Sequence, residues 1–262
     1  MIVTGASSGI GLACAEKFLK EGAAVVMASR NVSNLSDHLK KINHNESSFL
    51  TVNCDVGDED DCKSLIKKTI NRFGKIDVLI NNAGISMRAL FNDLDLKVMK
   101  QVMQTNFWGT VYCTKYALPY LLKTKGSIAG ISSIAGKKGL PGRTAYSASK
   151  FAMEGFLESL RTENLKSGLH VLVACPGFTA TNIRNAALDA EGKQQGNSPR
   201  NEGKMMTAEK VADMIYKAVT NRKRDLVLTA NGKITVWMNK FFPSYMDKTV
   251  FNHLSKEEGS PF

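Results

Sequence analysis

Short β-branched apolar runs alternate along this chain with longer stretches whose apolar residues recur at helical spacing. The runs at 2–4, 23–28, 49–54, 77–82, 126–132, 169–175 and 225–230 are predicted strands, and 9–21, 33–44, 58–73, 95–123, 145–167 and 207–221 are predicted helices between them. The strands are apolar at nearly every position, so both faces of the sheet need cover, and an intervening helix after each strand can supply it. The expected fold is a single α/β domain with a doubly wound parallel sheet of about seven strands. Two segments break the alternation. Residues 177–206 are polar and Gly-rich between a strand and a helix, and a connection that long in a compact domain is expected to be a lid. Residues 231–262 form a tail, aromatic and basic together, behind a body of residues 1–230.

Composition narrows the class. With 262 residues, 43% of them hydrophobic and 23% charged, the chain can bury a sizeable core as an ordinary soluble protein. It has no run of 18 apolar residues, and its first residues lack the basic and apolar regions of a secretory signal. Five cysteines (14, 54, 62, 113 and 175) are scattered without CxxC spacing, which fits a reduced, cytoplasmic setting, and four isolated histidines give no metal pattern. The net charge of +11 comes from short pairs and triples such as Lys137–Lys138 and Arg222–Lys223–Arg224. A solvated basic surface that favours anionic ligands accounts for it, and no nucleic-acid recognition module is present.

Candidate chemistry begins at TGASSGIG, residues 4–11, which follows a strand and opens a helix. Gly5, Gly9 and Gly11 can adopt positive φ or admit a close backbone, and Ser7, Ser8 and Ile10 complete the loop. A pyrophosphate would rest on the helix N-terminus there, which points to a dinucleotide. An NAD-binding sheet places a carboxylate about twenty residues further on, on the ribose hydroxyls. Here Ser29 stands eighteen residues after Gly11, followed by Arg30 and Asn31. A guanidinium without a carboxylate can grip a ribose 2′-phosphate, so the expected cofactor is NADP(H).

The motifs of the chain arrive in a fixed order: TGASSGIG, CDV at 54–56, NNAG at 81–84, Asn106 in TNFWGT, ISS at 131–133, YSASK at 146–150 and PGFTAT at 176–181. In this order and spacing the chain resembles the short-chain dehydrogenase/reductase family, in its shorter branch, over nearly its whole length. The resemblance implies a Rossmann fold and hydride exchange between NADP(H) and a small-molecule carbonyl/alcohol pair. It implies Tyr146 as acid/base, with Lys150 one helical turn away tuning the phenol and holding the nicotinamide ribose. That role suits a phenol whose ordinary pKa near 10 makes it a poor acid/base at neutral pH. Ser133, thirteen residues before Tyr146, would hydrogen-bond the substrate oxygen, and Asn106 would anchor a water relay to Lys150. The resemblance also places Asp55 and Val56 at the adenine and Asn82, Ala83 and Gly84 under the adenosine ribose. Pro176, Gly177, Thr179 and Thr181 would face the nicotinamide amide.

The chain departs from the pattern at both ends. Only Met1 precedes IVTG, so the first strand is expected to be short. After RDLVLTANGK no paired glycine follows, unlike many acyl-carrier-protein ketoreductases, and the tail is more similar to hydroxysteroid-dehydrogenase-like and carbonyl-reductase members. Trp237, Phe241 and Phe242 suit three settings, taken in this order: over the substrate mouth, at a subunit contact, or at a membrane surface. Phe178, Ile183, Ala186, Ala187 and Leu188 in the lid suggest a partly apolar substrate. The other activities considered are reduction of a 3-oxoacyl thioester, dinucleotide sensing without turnover, and sugar-nucleotide chemistry, for which the tail is too short. A homodimer or homotetramer built on helices 95–123 and 145–167 is expected from the resemblance.

Overall fold

The computed structural model describes residues 1–33, 35, 45–196, 198, 203 and 205–262, so the helix predicted at 33–44 lies almost wholly outside the described residues. Seven strands form one parallel sheet: β1 (Ile2–Thr4), β2 (Val25–Ser29), β3 (Phe49–Asn53), β4 (Val78–Asn81), β5 (Ser127–Ile131), β6 (His170–Cys175) and β7 (Asp225–Val227). Their order is β3-β2-β1-β4-β5-β6-β7, with Val3 opposite both Met27 and Ile80. The order reverses between β1 and β4. The crevice outside the carboxyl ends of the strands at such a reversal is where open α/β sheets take ligands.

The sheet needs its two apolar faces because two cores sit on it. Val3, Met27 and Ile80 pack with Cys14 and Phe18 of α1 (Gly9–Lys20) and Val211 and Ile215 of α6 (Ala208–Thr220). Their strand neighbours Ile2, Val26 and Leu79 pack on the other side, against Leu65 of α2 (Glu59–Phe73), Ala117 of α4 (Gly109–Thr124) and Leu157 of α5 (Thr144–Glu163). Alternate residues of each strand thus serve opposite layers, as the period-two geometry of a strand requires. Helix ends follow local chemistry. Asp58 accepts from the Asp61 amide at 2.9 Å to start α2, three acidic residues fill its first turn, and Gly74 at φ 74° stops it.

Most boundaries agree within a few residues, and the larger differences from the sequence reading lie in the middle of the chain and towards its end. The helix expected over 95–123 is α3 (Leu96–Met103), a wide π turn over Gln104–Trp108, and α4. The last strand ends at Val227 rather than residue 230, because Thr229 takes φ 66° and caps α7 (Ala230–Phe241) through a hydrogen bond from the Gly232 amide. The tail is not featureless: α7 is followed by α8 (Pro243–Leu254), which starts on a proline that gives up no helical bond there. Trp237, Phe241 and Phe242 are each more than half exposed and touch one another, so they form a surface cluster. No described helix is long and apolar enough to cross a membrane.

One buried polar joint ties the sheet edge together. His170, at the start of β6, meets the Ser127 hydroxyl at 2.9 Å and the Lys223 carbonyl at 2.8 Å. Burial lowers its pKa below the ordinary 6.5. The unfolded chain therefore binds a proton more readily than the folded one, and stability present above pH 6.5 is lost as pH falls below it. Thermal melts from pH 7.5 to 5.5 should show this loss, at most about 1.4 kcal/mol per pH unit from this group. His170→Asn should flatten the dependence; an unchanged slope would show that His170 does not contribute.

Candidate functional site

The glycine loop is shaped by close approach. Gly5 (φ 62°) and Gly9 (φ 56°) hold left-handed conformations, and a Cβ on Gly5 would stand 2.7 Å from the Ala83 Cα. Gly11 has no such φ, yet its Cβ would stand 2.2 Å from the Gly5 carbonyl oxygen and 2.4 Å from Asn82 Nδ2. The loop is pinned from β4. Thr4 Oγ1 accepts from the amides of Asn82 and Ala83 at 3.0 and 3.1 Å, while Asn82 Nδ2 donates to the carbonyls of Thr4 and Gly5 at 2.9 and 3.2 Å. The Asn82 side chain therefore holds the loop rather than standing ready for a ribose. Ser8 caps α1 in an extended conformation without a side-chain cap bond.

This loop floors a cleft at the carboxyl ends of the first four strands. Of the expected residues, Gly5, Ser7, Ser8, Gly9, Ile10, Ser29, Arg30, Asp55, Val56, Asn82, Ala83, Gly84 and Thr181 line it. Arg30 is exposed at the rim. Asp55 also caps its own turn, accepting from the Gly57 amide at 2.9 Å. Gly11, Asn31, Pro176, Gly177 and Thr179 lie outside the lining, as do Tyr146 and Lys150, which were expected at the cofactor as well as in the chemistry. Gly11 packs beneath the loop, Asn31 caps Ser33 through its carbonyl, and Gly177 faces Thr229. Thr179 is buried and donates to the Gly177 carbonyl. Cys54, Ile85, Thr105, Asn182, Ile183 and Ala186 line the cleft without having been singled out for it. Cys54 and Thr105 open the quoted motifs CDV and TNFWGT, and Ile85 and Asn182 directly follow NNAG and PGFTAT, so adjacency was the available signal.

The lid corrects one expectation. Leu188 is buried in a third core cluster with Met87, Val98 and Ala145, and Ala187 is buried beside it in the chain, while Ile183 and Ala186 line the cleft and Phe178 is exposed. Leu188 bridges to Met87 and Gln194, and Ala180 donates to the Met206 carbonyl. Leu188 is therefore spent on anchoring this segment rather than on a substrate, while Ile183 and Ala186 cover the cleft.

At the open end of β5, α5 brings Tyr146 and Lys150 together one turn apart. Lys150 is 3% exposed; its Nζ donates to the Ile131 carbonyl at 2.9 Å and lies 5.8 Å from the Tyr146 ring centre. Ser133 is close enough to the Tyr146 phenol to pull its pKa down, whereas its neighbour Ser132 donates to Glu154 Oε1 at 2.5 Å. Burial pushes the phenol above its ordinary 10, with Ser133 and Arg143 pulling it back. Burial is the largest influence on this phenol. Burial likewise lowers Lys150 to about 8.

Asn106 is fully buried, not solvent-facing as a mid-helix Asn would be. The π turn that carries it swings its amide onto the backbone leaving β4: Oδ1 accepts from the Ile85 amide at 2.8 Å, and Nδ2 donates to the Ile85 carbonyl and to Ser149 Oγ, both at 2.9 Å. A Cβ on Gly84 would stand 3.2 Å from Asn106 Oδ1 and 3.5 Å from Lys150 Nζ, so the glycine keeps that gap open. Glu154 went unnoticed in the sequence, although it lies one turn after Lys150. It is 8% exposed and joins Ser132, Cys175 and Lys137, the last at 2.6 Å. All five cysteines are free and buried, and among the described residues no cluster could hold a metal ion.

Comparison with known proteins agrees with this geometry. Residues 1–192 match the family described as short chain dehydrogenase. The chain is 38% identical over 236 residues to dehydrogenase/reductase SDR family member 7B of Rattus norvegicus, covering 87% of this chain and 73% of that one. It is 30% identical over 254 residues to 11-beta-hydroxysteroid dehydrogenase A of Sesamum indicum, covering 94% and 73%. A solved short-chain dehydrogenase from Streptomyces avermitilis superimposes with a TM-score of 0.80 at 26% identity, covering 97% of each chain. The chain belongs to the short-chain dehydrogenase/reductase family and is an oxidoreductase of the class that uses a nicotinamide dinucleotide.

Proposed function

We propose that this oxidoreductase uses NADP(H) to interconvert a ketone or aldehyde and an alcohol, with Tyr146 as the acid/base. The observation that carries the reading is the Ser133–Tyr146–Lys150 cluster standing beside a cleft whose floor only glycine fits. When bound, the dinucleotide supplies or accepts the hydride. In the reductive direction Tyr146, whose burial disfavours the phenolate, gives its proton to the substrate oxygen. Ser133 holds that oxygen and stabilises the negative charge that develops on it. In this reading Lys150 holds the ribose hydroxyls, and the bond of Asn106 to the Ile85 backbone beside it supports that role. The hydroxysteroid dehydrogenase relative supports a secondary alcohol/ketone pair as the substrate class. Exposed Trp108 and Phe151, on the helical faces of the π turn and α5, support assembly into a homodimer or homotetramer.

The preference for NADP(H) rests on Arg30 at the rim with no carboxylate at Ser29. A charged hydrogen bond of roughly 1.5–3 kcal/mol corresponds to about tenfold or more in affinity. Arg30→Ala should therefore weaken NADPH binding by about tenfold or more and leave NADH within about twofold, read by nicotinamide fluorescence. Equal loss for both dinucleotides, or no loss for either, would contradict the assignment.

A further inference from the structure

Beyond α8, segment 255–262 folds back onto the turn that leads into α5. Glu257 there is 8% exposed, and a buried carboxylate persists only when paired. Its Oε2 takes Arg143 Nη2 at 2.6 Å, with Arg88 Nη2 at 3.8 Å, and Arg88 also donates to the Glu258 carbonyl at 2.7 Å. Arg143 occupies the cap position of α5, three residues before Tyr146, and its carbonyl accepts the Ser147 amide. Arg88 lies on the backbone leaving β4. Its amide donates to Leu188 of the lid at 2.8 Å, its carbonyl accepts from Gln195 Nε2 at 3.0 Å, and the next amide, Ala89, donates to the Gly142 carbonyl at 3.0 Å. The segment is held on both sides. Pro261 and Phe262 come within 3.3 Å of where a Gly142 Cβ would stand, and Phe262 stacks on Phe251 of α8 at 5.0 Å.

We propose that Glu257 is a positioning residue: through Arg143 and Arg88 it locks the head of the Tyr146 helix, the backbone leaving β4 and lid segment 187–195 into one geometry. Its kinetic consequence rests on the oxidoreductase reading; its structural consequence does not. Arg143 stands at the head of the helix that carries Tyr146 and is paired to Glu257, so it is the link by which the tail reaches the reacting group.

The test is hydrogen exchange on the full chain for wild type, Glu257→Gln and Glu257→Asp. Glu257→Gln should speed exchange about tenfold in 85–90 and 187–195 while strands β4 to β6 keep their protection, and Glu257→Asp should restore it. With a reducible ketone in hand, Glu257→Gln should also lower kcat/KM with NADPH affinity unchanged. Unchanged protection in both segments, or a loss spread equally over β4 to β6, would overturn the proposal. Should Glu257→Gln fail to fold, Arg88→Gln reads the same coupling from the other side with the same two outcomes. A wild-type protein that turns over no carbonyl would sink the oxidoreductase reading, while the exchange data would still decide the role of Glu257.

Discussion

Tyr146→Phe is expected to lower carbonyl turnover by about 10²–10⁴-fold and to leave NADPH affinity within about twofold. The substitution keeps the ring, which packs on the third core cluster, and removes only the hydroxyl that meets Ser133. Residues that floor the dinucleotide cleft come from β1 to β4 and the lid, not from this hydroxyl, so binding should survive. The proton source is then gone, and Ser133 alone cannot supply one at neutral pH. Burial raises the phenol, so reduction should hold its rate across neutral pH and fall only as the pH climbs past the ordinary tyrosine range. Steady-state rates with NADPH, paired with fluorescence titration, check both halves. Turnover near wild type in the mutant would remove Tyr146 from the chemistry.

Gly11→Ala is expected to abolish detectable dinucleotide binding and to cost roughly 1–3 kcal/mol of stability, or more. The added methyl would meet the Gly5 carbonyl oxygen at 2.2 Å and Asn82 Nδ2 at 2.4 Å. Neither neighbour can yield cheaply, because Asn82 is bonded to Thr4 and Gly5, and Thr4 is bonded to β4. The loop must therefore open, and the phosphate floor opens with it. Gly155 in α5 is the control: a Cβ there meets nothing within 4 Å, so Gly155→Ala should stabilise by about 0.5–1 kcal/mol. Urea melts and NADPH titration of both variants decide the matter. Intact binding in Gly11→Ala would mean the loop is looser than its packing indicates.

The sheet was legible because strands sandwiched between two cores carry an uninterrupted apolar signal, as Ile2–Val3 and Val26–Met27 do. The site was legible where chemistry needs a fixed spacing, as between Tyr146 and Lys150. What stayed hidden depends on contacts distant in sequence. The π turn at Asn106 exists to reach the Ile85 backbone, and nothing in QTNFW announces it. The lid's apolar residues read as substrate contacts until Leu188 is seen against Met87. Glu154 and Glu257 carry no signal in the sequence because their partners, Ser132 and Arg143, are set only by the fold.

The most direct test of the central claim is isotopic. NADPH carrying deuterium at C4, prepared in both stereochemical forms, would be mixed with the protein and a panel of ketones, aldehydes, steroids and 3-oxoacyl thioesters. Product alcohols would be weighed by mass spectrometry, with Tyr146→Phe as the blank. The account predicts an alcohol one mass unit heavier from one of the two forms and none above background from the mutant. An alcohol without deuterium from either form, or the same labelled product from Tyr146→Phe, would contradict it.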